Sequence, residues 1–211
     1  MSQPALQSER RLTWEDYLKS AEGERWEIVD GVVYDMSPTP AIPHQVVARE
    51  IGGVFYNYFK GKKCQPFAAP TAVKLSRHDV VEPDLLVVCD PRQIKPTHIE
   101  GAPALVVEIL SPSSHGQDRV RKMRLYAKAG VKEYWIVTPF PACVEVFLLD
   151  GATYRMHGAY GKDEEMTSAT FPDLKLRLAE IFDFPLEPEE AGLRLVKESP
   201  GPGYRVKKKR T

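Results

Sequence analysis

The chain has 211 residues, enough for one domain with a sizeable core and short of two. Its 43% hydrophobic and 27% charged residues are the balance of a globular protein rather than a disordered or fibrous one, and no apolar run approaches the roughly 20 residues that cross a bilayer. The 29 basic and 29 acidic residues cancel, which argues against a protein that coats nucleic acid through overall charge but leaves room for a local basic surface.

The opening segment MSQPALQSERRLTW lacks the apolar stretch of a secretory signal, and residues 1–10 read as a loose arm. Thr13 is placed to cap a short helix, TWEDYLKS, with Asp16 as an acidic variant of the capping box. RWEIVDGVVYDM sets β-branched and aromatic residues on both sides of Asp30-Gly31, which predicts a hairpin. Pro38, Pro40 and Pro43 then lead into HQVVAREIGGVFYNYFKG. There Val47, Ile51, Val54 and Tyr58 recur at helical spacing and Gly61 is the terminator. TAVKLS alternates as a strand does. EPDLLVVCD and PALVVEIL are apolar on both faces, as strands inside a covered sheet are. SPSSHGQD punctuates, and residues 118–129 read as a helix stopped by Gly130. KEYWIVTP is a buried strand ended by Pro139, and VEVFLLDGATYRMH a second hairpin around Asp150-Gly151. LKLRLAEIF closes the domain as either a strand or a short helix. From Leu186 the composition shifts to Pro, Glu and Gly and ends in RVKKKRT, so residues 186–211 read as a mobile tail. The order of elements predicts a mixed α/β sheet flanked by helices, with additional hairpins, over residues 11–185. Cys64, Cys89 and Cys143 are odd in number and widely spaced. They fit neither a disulfide framework nor a zinc site, and a reducing cytoplasm is the matching compartment.

Five groups of residues could carry chemistry. Glu108 lies inside ALVVEIL, where an ionised carboxylate would cost several kcal/mol unless it is paired or metal-bound. The plainer alternative is a strand-end glutamate pointing outward or paired with an arginine. Asp84 opens the run LLVV after Pro83, and Glu82, two residues earlier, could share its face as a reserve ligand. Taken alone, Asp84 would be an ordinary solvated strand-end aspartate. Two carboxylates on adjacent strands make a hard oxygen site suited to Mg²⁺ or Mn²⁺. Lys122 shares a helical stripe with Leu125, Tyr126 and Ala129, so its ammonium should lie beside the packed face. It could equally snorkel to solvent, or pair with Asp118. Arg121, Arg124 and Lys128 fall on another stripe, a basic ridge that would face solvent or phosphate. Glu27, in WEIVD, and His44, at a helix start, are outer candidates. No phosphate-binding glycine loop, HExxH, GxSxG or paired CxxC is present.

Taken in order, WEIVDGVVYDMSPTP, His44, VEPDLLVV, IEGAPALVVEILSPSS, the run Asp118, Lys122, Tyr126 and AGVKEYWIVTP resemble the Uma-type family of restriction endonucleases. That family falls within the PD-(D/E)xK nuclease superfamily, and the likeness extends over roughly residues 13–180. It implies a restriction-endonuclease-like fold, with Pro83-Asp84 and Glu108 as the acidic half of the motif. Leu110 stands where the usual lysine would be, and the resemblance places the migrated lysine at Lys122. It further implies Mg²⁺ held by Asp84, Glu108 and the Ile109 backbone carbonyl. Lys122 would then act on the attacking water or the phosphate, Glu27 and His44 would line the substrate side, and the products would be a 5′-phosphate and a 3′-hydroxyl. DNA is the implied substrate, and a homodimer would let both strands be cut.

Two other classes compete with a metal-dependent endonuclease. A catalytically inactive nucleic-acid-binding or regulatory protein with a nuclease fold would explain Leu110 and the zero net charge. An assembly protein dimerising through its apolar strands gives Glu108 no reason to sit where it does.

Overall fold

The computed structural model describes residues 10–19, 26–36, 41–110 and 117–184. The expected tail and all of the expected arm except Arg10 lie outside these residues, as do Pro38, Pro40 and the segment 111–116. Helix Trp14–Tyr17 (α1) follows Thr13, whose N–H and hydroxyl both donate to the Asp16 carboxylate at 3.0 Å. Trp26–Val29 (β1) and Val32–Asp35 (β2) form the expected hairpin. Its turn residues Asp30 and Gly31 have φ of 51° and 82°, the left-handed pair that a two-residue hairpin turn demands. Ile42–Phe59 (α2) carries Pro43 in its first turn and stops before Gly61. Its buried stripe is Val47, Ile51, Phe55 and Phe59; Val54 and Tyr58 are only partly covered, because the two phenylalanine rings take the core positions.

The strands that follow are Gln65–Ala68 (β3), Val73–Ser76 (β4), Asp79–Val81 (β5), Leu85–Val88 (β6), Ile99–Glu100 (β7) and Leu105–Ile109 (β8). Helix Gln117–Ala129 (α3) ends at Gly130, where φ of 90° breaks the helix. Then come Glu133–Thr138 (β9), Cys143–Asp150 (β10), Thr153–Gly161 (β11), Glu165–Thr167 (β12) and Lys175–Arg177 (β13), and last the short helix Leu178–Ile181 (α4). LKLRLAEIF is therefore a strand and a helical turn in succession. The second hairpin turns one residue later than expected: Asp150 pairs with Thr153, so the loop is Gly151-Ala152.

Six strands form the central sheet in the order β11-β10-β9-β8-β6-β3, mixed because β8 and β9 run parallel while the other pairs are antiparallel. A five-stranded sheet, β2-β1-β5-β4-β7, and the ribbon β12-β13 complete the fold. On one face of the central sheet Leu85, Val87, Leu105 and Val107 meet α2, α4 and the ribbon. On the other, Leu86, Val88, Val106 and Ile136 meet Leu125 and Tyr126 of α3 together with Val29, Val73 and Val81 of the second sheet. β6 and β8 are apolar on both faces because both faces are covered. Among the described residues no helix is long and apolar enough to cross a membrane.

One feature departs from the sequence reading, and a second lies outside it. Gln65 of β3 pairs with Val88 of β6, so Cys64 and Cys89, one step further along each strand, face one another and form a disulfide. The expectation of unpaired cysteines is corrected for these two. They stand 25 residues apart in the chain, and only the sheet register brings them together. The cytoplasmic assignment loses the support it drew from unpaired cysteines. Second, Glu133 is fully buried yet satisfied: Trp135 Nε1 and the Ala169 N–H donate to Oε1, and the Ser168 hydroxyl and Thr170 N–H to Oε2.

Candidate active site

β6 and β8 are neighbouring antiparallel strands with Leu85 opposite Val107, so Asp84, just before β6, comes to lie opposite Glu108. Cross-strand partners project to the same face of a sheet, and this one is the face that α3 covers. Asp84 Oδ2 accepts a 2.7 Å hydrogen bond from the Ile109 N–H, and Oδ1 lies 3.2 Å from His44 Nε2. α2 delivers His44 from its first turn. Its ring is buried, and Nδ1 has no hydrogen-bond partner among the described residues.

α3 delivers two further side chains, one turn apart. Lys122 Nζ donates to Glu108 Oε1 at 3.0 Å and to Glu27 Oε1 at 2.7 Å. The Tyr126 hydroxyl donates to the same Glu108 oxygen at 2.5 Å. Lys122 therefore lies between a carboxylate of the central sheet and one of the second sheet. Glu27 Oε1 also accepts the Glu82 N–H at 3.0 Å, which fixes it from the other side. Lys122 and Glu27 are almost wholly buried, and the Glu108 side chain is 13% exposed.

Electrostatics follow from this crowding. Burial pushes the Glu108 carboxyl up to about 7; the Lys122 ammonium pulls it back, and the Asp84 and Glu27 charges add to the rise. Burial disfavours the His44 imidazolium, but the hydrogen bond and charge of Asp84 outweigh it, with Glu108 adding, so the His44 pKa is raised. Burial and the Glu108 charge hold the Tyr126 phenol neutral, as a donor.

Glu82 is buried and accepts a 2.8 Å hydrogen bond from the Tyr17 hydroxyl. Asp118 lies in the first turn of α3, and its side chain is outside the described residues. Arg124 and Lys128 are exposed, Lys128 being paired with Asp30 at 2.8 Å. Arg121 is half-buried: its guanidinium stacks over the Tyr34 ring at 3.5 Å, because the β1-β2 hairpin lies along α3, and it lines one surface cleft with Arg124 and Lys128. Glu27 and His44, expected at the periphery, touch Lys122 and Asp84 directly. The sequence reading missed Gln45, Ala48 and Arg49, which with His44, Asp84 and the 68–70 turn line a cleft of about 390 Å³. Their spacing from His44 along the helix was the available signal.

The donor chemistry fits a hard divalent cation. Both hydrogen bonds to Glu108 go to Oε1, and none reaches Oε2 among the described residues. Glu27 and Glu108 both meet Lys122, and the Asp84 charge acts on Glu108 from beside them. Among the described residues no group of three or more His, Cys, Asp or Glu side chains could by itself enclose a metal. Mg²⁺ and Mn²⁺ sites commonly use one or two carboxylates and leave the other positions to water and substrate.

A family model described as "Uma2: Putative restriction endonuclease" matches residues 14–179. The uncharacterized protein slr1290 of Synechocystis is 31% identical over 146 residues, covering 68% of this chain and 74% of that one. The crystal structure of a "putative nuclease belonging to DUF820" from Anabaena variabilis superposes with a TM-score of 0.66 at 22% identity, covering 81% of this chain and 97% of the other. At that identity the likeness is one of fold, and it agrees with the mixed α/β architecture.

Proposed function

The chain belongs to the Uma2 family of putative restriction endonucleases, and from that premise we propose that it is a metal-dependent DNA endonuclease that hydrolyses phosphodiester bonds by in-line attack of water. The observation that carries this reading is the position of Lys122. The E-x-K position holds Leu110, yet an ammonium reaches Glu108 at 3.0 Å from a different element. The nuclease neighbour from Anabaena adds to the case through its fold.

Asp84, Glu108 and the Ile109 carbonyl would hold Mg²⁺ or Mn²⁺. When bound, such an ion lowers the pKa of a coordinated water and neutralises charge on a phosphate. Lys122 would orient the attacking water and stabilise charge developing on the phosphoryl oxygens. Glu27 would hold that ammonium in place. Tyr126 and Lys122 together would hold Glu108 by one oxygen and leave the other for the cation. His44 and Arg49 border the cleft through which a phosphate would arrive, and Arg124 and Lys128 would contact neighbouring phosphates. The nuclease unit would be residues 11–185, acting as a cytoplasmic homodimer and leaving a 5′-phosphate and a 3′-hydroxyl.

Plasmid nicking with and without Mg²⁺, comparing the native chain with Asp84→Ala and Glu108→Ala, tests the reading. Metal-dependent nicking lost in both variants is the expected result; activity unchanged in both would eliminate the site. The second reading, a binding protein with a nuclease fold, is favoured by Leu110. Binding without cleavage under every metal tried, together with no metal affinity at the carboxylates, would establish it.

A further inference from the structure

Asp84 stands just before β6 and Glu108 near the close of antiparallel β8, so Cys89, past the end of β6, and Ala104, just before β8, mark the opposite end of the same strand pair. At that far end a cleft of about 490 Å³ brings Lys63, Arg92 and Lys132 together with one carboxylate, Asp90. The three cations come from separate parts of the chain, and the fold positions each. Lys63 precedes Cys64, which the disulfide fastens to Cys89. Arg92 lies in the short 3-10 turn Pro91–Gln93 that Asp90 caps. Lys132 leads into β9, and its carbonyl accepts the Leu149 N–H at 2.9 Å. Asp90 is committed to Arg92: Oδ2 accepts from Nη2 at 2.7 Å, and Oδ1 from Nε and the backbone N–H at 3.0 Å. Those bonds hold the Asp90 carboxyl down at about 2, and the nearby Lys63 charge adds to them. Lys63 and Lys132 have no carboxylate partner among the described residues. Three cations against one carboxylate leave the cleft two charges positive. Lysines that follow a helix complement its dipole, which accounts for a charge after α2 and after α3 but not for their meeting in one hollow.

The other walls suit a flat organic body. Ala102, Pro103, Ala104 and Gly130 present nothing longer than a proline ring. The Gln93 side chain is held through Nε2, which donates to the Ala102 carbonyl at 2.9 Å, and its Oε1 has no donor among the described residues. The cleft therefore offers cations, a smooth floor and one unused acceptor. Its volume falls within the range of small-ligand sites, about 300–1,000 Å³, and is too narrow to admit a duplex. We propose that this cleft binds a nucleoside monophosphate. Lys63, Arg92 and Lys132 take the phosphate, whose charge of about −2 matches that of the cleft, and the base lies over Ala102 to Ala104 with its amino group donating to Gln93 Oε1. The site is separate from the candidate active site, and its occupancy does not depend on the body being a nuclease.

Titration calorimetry on the full chain in EDTA, with AMP, inorganic phosphate and adenosine as probes, tests this. AMP should bind, inorganic phosphate should bind more weakly, and adenosine should give no signal. K63Q/K132Q should weaken AMP about tenfold, since two charge-assisted contacts are lost at exposed positions, and the charge-preserving K63R/K132R should match the native chain. Both lysines are exposed, so the urea midpoint of the glutamine variant should equal the native one. Asp84→Ala should leave AMP affinity unchanged, which separates this cleft from the one beside His44. No AMP binding at millimolar concentration would overturn the proposal, as would unchanged AMP affinity in K63Q/K132Q, equal losses in K63R/K132R, or AMP affinity lost in Asp84→Ala. Inorganic phosphate binding as tightly as AMP would overturn it too, because the floor and Gln93 would then contribute nothing. So would duplex DNA binding that K63Q/K132Q abolishes, with none to AMP, which would make the cleft part of a nucleic-acid surface. Failure of the plasmid-nicking test would sink the endonuclease reading and leave the nucleotide site standing.

Discussion

Glu108 shows how much one residue can reveal. A carboxyl with a pKa of about 7 in the fold, against an ordinary 4.5, is more easily protonated in the native chain than in the unfolded one. Stability from this group is therefore fully present below pH 4.5 and is lost as the pH rises through 7, on the order of 3 kcal/mol by pH 8. Glu108→Gln should raise the urea midpoint of the metal-free protein at pH 8 and leave it nearly unchanged at pH 4.5; equal effects at the two pH values would refute the assignment. Such a gain at the expense of the proposed activity is the usual conflict between stability and function. Tyr126 offers a finer test. Tyr126→Phe keeps the buried ring and removes one of two donors to Oε1, so Mn²⁺ affinity should weaken roughly tenfold while the fold survives. Titration calorimetry with Mn²⁺ reads this directly, and an unchanged affinity would deny Tyr126 any positioning role. Glu108 and Lys122 were legible in the sequence because a charge inside an apolar run or stripe has few harmless explanations. Glu133 was not. It follows Lys132 at the start of a strand and looks solvated, while its Ser168, Ala169 and Thr170 partners lie 35 to 37 residues away.

At the scale of elements, the β1-β2 hairpin and α3 behave as one unit. Lys122 meets Glu27, Arg121 covers Tyr34, and Lys128 reaches Asp30 at the turn, where buried Asp79 also accepts the Asp30 N–H at 2.7 Å. The exposed Lys128–Asp30 pair contributes little by itself, and the buried contacts set the alignment. β9 is joined to the segment before β13 in a different way, through the three donors that Ser168, Ala169 and Thr170 offer to Glu133. Glu133→Gln would point an amide N–H₂ at groups that are themselves donors, and should cost about 3 kcal/mol. Chemical denaturation would measure it; a loss under 1 kcal/mol would mean that the loop rearranges to satisfy itself. The sequence showed α2, α3, β6, β8 and β9 well, since each carries enough periodicity or uninterrupted apolar character to be read. It did not show β3, β5, β7 or β12, which span two to four residues and owe their conformation to neighbours in a sheet. The Cys64–Cys89 disulfide was hidden for the same reason, since it depends on the pairing of β3 with β6.

Seen whole, the candidate site draws on every layer of the molecule: Asp84 and Glu108 from the central sheet, Glu27 from the second sheet, His44 from α2, and Lys122 and Tyr126 from α3. Hydrophobic patterning indicated that β6 and β8 were covered on both faces. It could not indicate that a second sheet shared the cover with α3, because burial leaves the same mark whatever lies on top. A site assembled from separate layers exists only in the folded state, so an ion bound there stabilises the fold by mass action. At a hundredfold excess over its dissociation constant the gain is about 2.7 kcal/mol. For a chain of this size that corresponds to a rise in melting temperature of roughly 5–10 °C. Melting in Mg²⁺ against EDTA should show this rise at pH 8, where Glu108 is ionised, and a smaller one at pH 5, where a proton competes with the cation. Asp84→Ala should abolish it at both. A rise that persists in Asp84→Ala would place the ion elsewhere on the protein, and no rise in the native chain would leave the carboxylate pair without the cation it is proposed to hold.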